Sequence, residues 1–223
     1  YYIFDLEKQD GYFPMKSENA KGYSVKDLKE FYHIYLPWGR IPPKLSDDTL
    51  LIRKELKNIA TILLTWINDL TPNRIKKHFS MPLYDMIDNS RTNLLRIIHY
   101  PPLRKNDDVN ALRAAAHEDI NLITILLSGS KPGLQVKDST NNWIDLKSDY
   151  GSLIINIGDM LQECSKGYYP STTHRVINPK DEKSNQSRYS MPFFLHPRDD
   201  VSLSDSYTAK EYLDERLKQL GLR

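Results

Sequence analysis

The feature that most constrains the fold is a change in the spacing of apolar residues near residue 94. From there onward, short runs of β-branched and aromatic residues alternate with turn signals, a pattern typical of strands. Ser-Thr-Asn-Asn at 139–142 separates two runs and predicts a hairpin turn. Strands this closely spaced predict a sandwich or jelly roll. The runs lie at residues 94–100, 120–127, 133–137, 143–146, 153–157, 172–177 and 188–196.

Upstream of residue 94, the spacing is that of a helix. Ser46, followed by two aspartates, has the composition of an N-cap, and apolar residues then recur every three or four positions. The pattern predicts a long amphipathic helix over 46–70. Its apolar stripe is expected to consist of Ile52, Leu56, Ile59, Leu63, Trp66 and Leu70.

Shorter helical signals flank these regions. Thr71-Pro72 predicts a second helix that ends near Phe79. A short helical or turn segment is expected after Gly158, and a closing helix is expected after the cap residue Thr208. Residues 1–45 mix aromatic residues with turn formers, and helical character is confined to 25–33 there. We therefore expect this segment to wrap around the rest of the chain.

Composition excludes several classes of function. Lys plus Arg number 31 and Asp plus Glu number 29 in 223 residues, and the basic residues form no block. Binding to nucleic acid or to a membrane surface through bulk charge is therefore disfavoured. The longest apolar run, 122–127, is far shorter than the roughly 20 residues of a membrane-spanning helix. We expect a small-molecule substrate, with no nucleic-acid or membrane partner, while the oligomeric state stays open.

A single cysteine, Cys164, excludes an internal disulfide and a cysteine-only zinc cluster. No recognisable base lies beside it in the sequence, so a structural thiol is favoured over a nucleophile. A reducing compartment is the simplest setting, and we expect the cytoplasm. The chain also lacks a G-x-S-x-G elbow, a Walker A loop, a G-x-G-x-x-G turn and an H-E-x-x-H helix.

The remaining candidates for chemistry are histidines. His117 and Asp119 are two residues apart, so on a strand their side chains would share one face. A third ligand, His174, lies on another predicted strand. Two imidazoles and one carboxylate form the facial triad of non-haem Fe(II) oxygenases, which leaves three coordination positions open. The alternatives without a metal are a capped turn or surface ion pair at 117–119 and a hydrogen-bonded core histidine at 174.

A second polar pair follows on the last predicted strand. Arg188 and Ser190 also share one strand face, and a guanidinium with a neighbouring hydroxyl can bind a carboxylate. An exposed arginine on a barrel rim is the alternative. The same parity places Pro192 and Phe194 on this face, so Phe194 is a candidate for the pocket wall, with core packing equally open.

In this order, the motifs closely resemble the Fe(II)- and 2-oxoglutarate-dependent dioxygenases of the isopenicillin N synthase-like superfamily. The resemblance covers roughly residues 20–223 and is specific because several ordered motifs agree. It rests on His117-x-Asp119, His174, Arg188-x-Ser190 and Tyr100-Pro101-Pro102, with support from residues 132–136, 153–159 and 192–194.

The resemblance implies a mainly β fold with flanking helices: a double-stranded β-helix (jelly-roll, cupin-like) core packed on the long helix. It also implies that His117, Asp119 and His174 hold Fe(II), and that 2-oxoglutarate and O2 are co-substrates. Arg188 and Ser190 would bind the distal carboxylate of 2-oxoglutarate. Tyr100 would contact the co-substrate or the substrate.

The expected organisation is one compact domain in three parts. Residues 1–93 are the N-terminal wrapping and helical region, 94–207 the jelly-roll core, and 208–223 the C-terminal helix. The N-terminal strand and helix typical of the family are not found, so we expect residues to precede Tyr1. Ile98 stands where some plant members have Asn, so that polar contact is missing.

Three functions remain open from the sequence. The leading one is a 2-oxoglutarate-dependent oxygenase that oxidises a small organic molecule and forms succinate. Hydroxylation is the expected reaction, with desaturation and ring closure as alternatives. The second is a 2-oxoglutarate-independent oxidase resembling isopenicillin N synthase, which has the same Arg-x-Ser motif. The third is a cupin-like metal-binding protein without catalysis.

Overall fold

A computed structural model describes residues 2–5, 7–20, 22–147 and 149–221. This part of the chain is built mainly from short strands. In chain order they are β1 (Gly11–Phe13), β2 (Glu30–Tyr35), β3 (Leu94–Tyr100), β4 (Ala114–His117), β5 (Ile123–Leu127), β6 (Leu134–Lys137), β7 (Trp143–Asp145), β8 (Leu153–Ile157), β9 (His174–Val176) and β10 (Arg188–Leu195).

The strands form two antiparallel sheets. The larger sheet has the order β1-β2-β3-β10-β5-β8, and the smaller has the order β4-β9-β6-β7. Both sheets contribute to one apolar cluster, in which Ile98 and Leu126 of the larger sheet pack with Leu134 and Val176 of the smaller. The expected double-stranded β-helix, or jelly roll, is confirmed.

Helices cover the other face of the larger sheet. They are α1 (Asp47–Leu70), α2 (Asn73–Lys76), α3 (Leu83–Met86), α4 (Asp159–Cys164) and α5 (Ala209–Gln219). A second apolar cluster joins α1, through Leu56 and Leu64, to Ile125 of β5 and Phe193 of β10. This cluster fixes the larger sheet against the long helix. Among the helices of the described residues, none combines the length and apolar character needed to cross a membrane.

Several local predictions are confirmed. Ser46 caps α1 by accepting a hydrogen bond from the Asp48 amide. The hairpin between β6 and β7 closes on Asp138, whose carboxylate accepts hydrogen bonds from the amides of Thr140 and Asn142, both at 2.8 Å. The cap residue Thr208 and Glu211 form a reciprocal capping box at the start of α5.

The helix expected at 25–33 is wrong. Residues 30–35 form β2, which pairs with β3 along its length, and β1 then pairs with β2. The apolar spacing at 25–33 also fits a helix, but it is overridden because β3 would otherwise leave a row of backbone groups unpaired at the sheet edge. The predicted wrapping segment therefore extends the larger sheet by two strands.

The boundaries of α1 agree with the prediction, but its buried face differs. Of the six predicted stripe residues, only Leu56 is fully buried, whereas Trp66 is 60% exposed and Leu70 is 82% exposed. The face that packs on the sheet contains Arg53, Leu56, Ala60, Leu64 and Asn68. The next helix is also shorter than predicted, since α2 spans four residues.

Candidate active site

The three predicted metal ligands meet at one point. His117 ends β4, His174 begins β9, and the two residues are paired partners in the smaller sheet. Asp119 lies two residues beyond the end of β4 and is 6% exposed. Its Oδ1 is 3.7 Å from His174 Nε2 and 4.0 Å from His117 Nε2. All three ligand atoms lie within 4.8 Å of one another.

Backbone carbonyls determine which nitrogen of each histidine faces this point. His117 Nδ1 lies 2.7 Å from the carbonyl oxygen of Ala115, and His174 Nδ1 lies 2.9 Å from that of Thr172. A carbonyl oxygen only accepts hydrogen bonds, so in the neutral rings Nδ1 carries the proton and donates. Both Nε2 lone pairs are therefore available at the shared point, as in metal-binding histidines.

A hydrogen-bond relay orients the carboxylate. The Thr124 hydroxyl donates to Asp119 Oδ2 at 2.5 Å, and the Asn121 amide donates to the Thr124 hydroxyl at 2.8 Å. A Cβ at Gly158 would lie 2.2 Å from the Asn121 carbonyl oxygen, so this close approach requires glycine. The relay leaves Oδ1 of Asp119 facing the two histidines.

The protonation states suit metal binding. Burial by itself raises the pKa of Asp119, but His174, His117 and the Thr124 hydroxyl outweigh it and hold the pKa below its usual value. Burial, together with the neighbouring His174, lowers the pKa of His117 to about 4. At neutral pH, Asp119 is thus ionised and His117 is neutral, which are the forms that coordinate metals.

The predicted carboxylate clamp is buried between the sheets. Arg188 begins β10 opposite Tyr100 at the end of β3, and its guanidinium carbon lies 5.2 Å from the Tyr100 ring centroid. Its Nε donates to the Lys131 carbonyl at 3.0 Å, while Nη1 is buried without a hydrogen-bond partner among the described residues. Ser190 is 6% exposed and follows on the same strand. The structure thus places these three residues together.

A cavity of about 720 Å³ opens beside the metal-ligand cluster. His117 and Asp119 form part of its wall, and Phe194 lines it as well. Among the described residues, Arg188, Ser190 and Tyr100 are not part of this wall. Tyr100 belongs instead to the apolar cluster between the sheets.

Polar residues that the sequence did not single out also line the cavity. Arg96 donates through Nε to His33 Nε2 at 2.7 Å and through Nη1 to Glu18 at 3.0 Å. Lys29 Nζ lies 2.7 Å from Glu18 and 2.9 Å from Asp27.

His196 lines the same cavity, with Nδ1 buried and unpartnered in the part of the chain that the structure describes. The alternation of side chains along a strand could have found two of the missed residues. Arg96 lies on the same strand face as Tyr100, and His196 lies on the same face as Phe194. Glu18 and Lys29 carried no such signal.

Cys164 lies at the end of α4 and is buried, and burial raises the pKa of its thiol to about 12. The thiol donates weakly to the Leu161 carbonyl. These features agree with the expected structural role.

Comparison with known proteins identifies the family. Residues 91–197 match the model of the 2OG-Fe(II) oxygenase superfamily. A 2-oxoglutarate-dependent dioxygenase of Monascus ruber is 35% identical over 92% of this chain and 71% of its own length. This chain belongs to the 2OG-Fe(II) oxygenase superfamily.

Two further relatives differ in how much they share with this chain. A solved structure from Shewanella oneidensis, of a protein assigned as an oxygenase, is 52% identical, with a TM-score of 0.85 over the whole of this chain and 79% of the other. A 2-oxoglutarate-Fe(II) type oxidoreductase of Aspergillus fumigatus is 38% identical over 50% of this chain. The chain matches only 32% of the length of that fungal relative.

The residues present fit the iron of the superfamily. Two imidazole nitrogens and one carboxylate oxygen are the donor set of the facial triad. The ligand atoms, 3.7 Å and 4.0 Å apart, surround one point, and a bound ion would draw each of them in to about 2 Å from itself. The unpartnered, buried Nη1 of Arg188 fits a carboxylate-bearing co-substrate.

Proposed function

We propose that this chain is a non-haem Fe(II)- and 2-oxoglutarate-dependent oxygenase that hydroxylates a small organic molecule. The observation that carries the proposal is the convergence of two Nε2 lone pairs and one carboxylate oxygen beside a cavity of about 720 Å³. When bound, Fe(II) with 2-oxoglutarate supplies the oxidation of a substrate C–H bond by O2, coupled to decarboxylation of 2-oxoglutarate to succinate.

In this proposal, His117, Asp119 and His174 hold the iron. Hydrogen bonds to the backbone carbonyls and from the Thr124 hydroxyl orient the three ligands without a metal, and this preorganisation favours metal binding. One carboxylate against a divalent ion leaves one positive charge at the site, which favours an anionic co-substrate.

Arg188 and Ser190 would bind the distal carboxylate of 2-oxoglutarate, with Tyr100 beside them. The support is that Arg188 is 1% exposed and has a free N–H group with no carboxylate of the described chain paired to it. Burial lowers the pKa of Arg188, yet a guanidinium stays charged at neutral pH, so it retains the charge that binds an anion.

The substrate would occupy the cavity that Phe194 and Arg96 both line, where the guanidinium carbon of Arg96 lies 5.4 Å from the Phe194 ring centroid. Two hydrogen bonds hold the Arg96 guanidinium 4.3 Å from the Phe31 ring centroid and leave Nη2 without a partner among the described residues. Such a wall suits a small molecule with an apolar or aromatic body and a hydrogen-bond acceptor.

The decisive experiment adds 2-oxoglutarate to the Fe(II)-loaded protein without oxygen. We expect the visible charge-transfer band of a chelated 2-oxo acid, followed by succinate formation when O2 is admitted. The His174→Ala variant should lose both signals, while His78→Ala, outside the site, should keep them. If iron binds but neither band nor succinate forms, the 2-oxoglutarate-independent oxidase replaces this proposal.

A further inference from the structure

A second buried arginine lies near Arg188. Arg113 directly precedes β4 and is 2% exposed. Its Nη2 donates to the Gln186 carbonyl at 2.6 Å, which ties it to the residues just before Arg188. Its Nε is buried and has no hydrogen-bond partner within the described residues.

The guanidinium group of Arg188 lies close enough to Arg113 to act on it electrostatically, and no carboxylate of the described residues pairs with either group. Burial and the positive charge of Arg188 both lower the pKa of Arg113. The charge interaction with Tyr100 works in the opposite direction and raises the pKa of both arginines. Neither arginine forms an ion pair with a carboxylate in the described ranges. Two buried positive charges without a counter-ion are costly, and the cost is recovered when an anion binds between them.

We propose that Arg113 is a second cation of the co-substrate clamp, so that the distal carboxylate of 2-oxoglutarate is bound by two arginines and Ser190. The inference rests on the proposed function, because 2-oxoglutarate is the anion to be bound. A carboxylate has two oxygens and about four lone-pair sites. It can therefore accept from Arg188 Nη1 and Arg113 Nε, the two buried N–H groups that lack partners.

A purely structural role predicts something different. The hydrogen bond from Arg113 Nη2 to Gln186 fastens the segment before β10, and this contact requires neither Nε nor an anion. In that case, removing the charge would change the stability of the protein, and its affinity for 2-oxoglutarate would stay the same. Co-substrate binding in the folded protein therefore separates the two roles.

The test measures the dissociation constant of 2-oxoglutarate on the Fe(II)-loaded protein without oxygen, by calorimetry and by the charge-transfer band. Arg113→Met keeps most of the side-chain length but removes the charge and the N–H groups. We expect it to weaken 2-oxoglutarate binding by about 10- to 100-fold, the usual effect of losing a charge-assisted hydrogen bond. The Fe(II) dissociation constant should not change.

Two further variants complete the design. Arg113→Lys retains the charge and should recover part of the affinity, while Arg104→Met, at an exposed loop arginine, should bind 2-oxoglutarate like the parent protein. In turnover, KM for 2-oxoglutarate should rise in Arg113→Met, with kcat nearly retained at saturation.

Unchanged 2-oxoglutarate affinity in folded Arg113→Met would overturn the inference and assign Arg113 to the Gln186 contact alone. If Arg113→Met does not fold, Arg113→Gln, which removes the charge but keeps a polar side chain, carries the test, and parent-like affinity there overturns the inference. Failure of the proposed function is distinguishable, because in that case the parent protein itself would bind Fe(II) but not 2-oxoglutarate.

Discussion

Each candidate iron-binding histidine has its tautomer set by the carbonyl two residues upstream. His117 bonds to Ala115 and His174 to Thr172, so each strand segment supplies both the ligand and its orienting partner. Asp119 differs, because its orienting hydroxyl comes from Thr124 on β5. The carboxylate is therefore the ligand whose position depends on a second element.

We expect Thr124→Val to weaken Fe(II) binding by about 10- to 100-fold, since an orienting partner of a metal ligand has effects of this size. Valine preserves the shape but removes the donor to Asp119 Oδ2 and orphans the Asn121 amide. Competition with a chromogenic chelator measures the Fe(II) dissociation constant. The matched variant Thr124→Ser keeps the hydroxyl and should bind Fe(II) almost normally, and equal losses in both variants would contradict this role.

Gly129 leaves room for the clamp. A Cβ at this position would lie 2.5 Å from Arg188 Nη2 and 2.9 Å from its guanidinium carbon. We expect Gly129→Ala to displace the guanidinium and weaken 2-oxoglutarate binding by about tenfold or more, the effect of misplacing a charge-assisted hydrogen bond. Parallel titrations with 2-oxoglutarate and Fe(II) check this, because the metal ligands are untouched and Fe(II) affinity should persist. Normal 2-oxoglutarate affinity would show that Arg188 can move without loss.

At the scale of elements, α1 has apolar residues on several sides, and its polar contacts help to decide which side is buried. Arg53 and Asn68 lie on that face because each finds a partner there. Arg53 Nη2 donates to the Asn93 carbonyl, and Asn68 Oδ1 accepts from the Leu83 amide. Between them, Leu64 is fully buried against the sheet. The packing of polar as well as apolar groups thus sets the rotation of the helix.

This rotation predicts opposite outcomes for two neighbouring residues. Leu64→Ala should lower the free energy of unfolding by about 2–5 kcal/mol, because it leaves a cavity in the core. Trp66→Ala, at a side chain that is 60% exposed, should change it by about 0.5 kcal/mol or less. Urea unfolding of both variants measures the difference. A larger loss for Trp66→Ala would mean that the helix presents its other face to the sheet.

At the scale of the whole molecule, buried histidines make stability depend on pH. Burial lowers the pKa of His196 to about 4, and burial together with Arg96 lowers that of His33 well below its usual value. Both side chains are neutral in the folded protein, whereas unfolded histidines take up protons below about pH 6.5. The unfolded state then binds more protons, so stability falls as the pH drops from about 6.5 towards 4.

We expect the free energy of unfolding of the metal-free protein to be nearly constant between about pH 7 and 8 and to decline below about pH 6.5. Further loss is expected below about pH 4, because Asp119 and Glu18, whose pKa values are lowered in the folded protein, take up protons there in the unfolded chain while they stay ionised in the folded one. Urea unfolding at several pH values measures the slope. His196→Gln should reduce the slope between pH 6.5 and 4 by up to about 1.4 kcal/mol per pH unit. An identical slope in this variant would exclude His196 as a source.

The sequence by itself determined the β-rich second half, the boundaries of α1, the start of α5 and the family. These features are local, because caps, turn residues and apolar periodicity act within a few positions of one another. The order of the motifs also indicated the three metal ligands, the clamp and Phe194. Their roles at iron, 2-oxoglutarate and substrate stay predictions, as does the division of the chain at residues 93 and 207.

Tertiary structure alone decided the rest. Residues 30–35 are a strand because they pair with the edge of β3. The packing of α1 on the sheet buries Leu64 rather than Trp66. It also brought Thr124 to Asp119 and Arg113 to the residues before Arg188. Contacts between distant segments depend on which surfaces pack together, and hydrogen-bond partners and burial exist only after that packing has occurred.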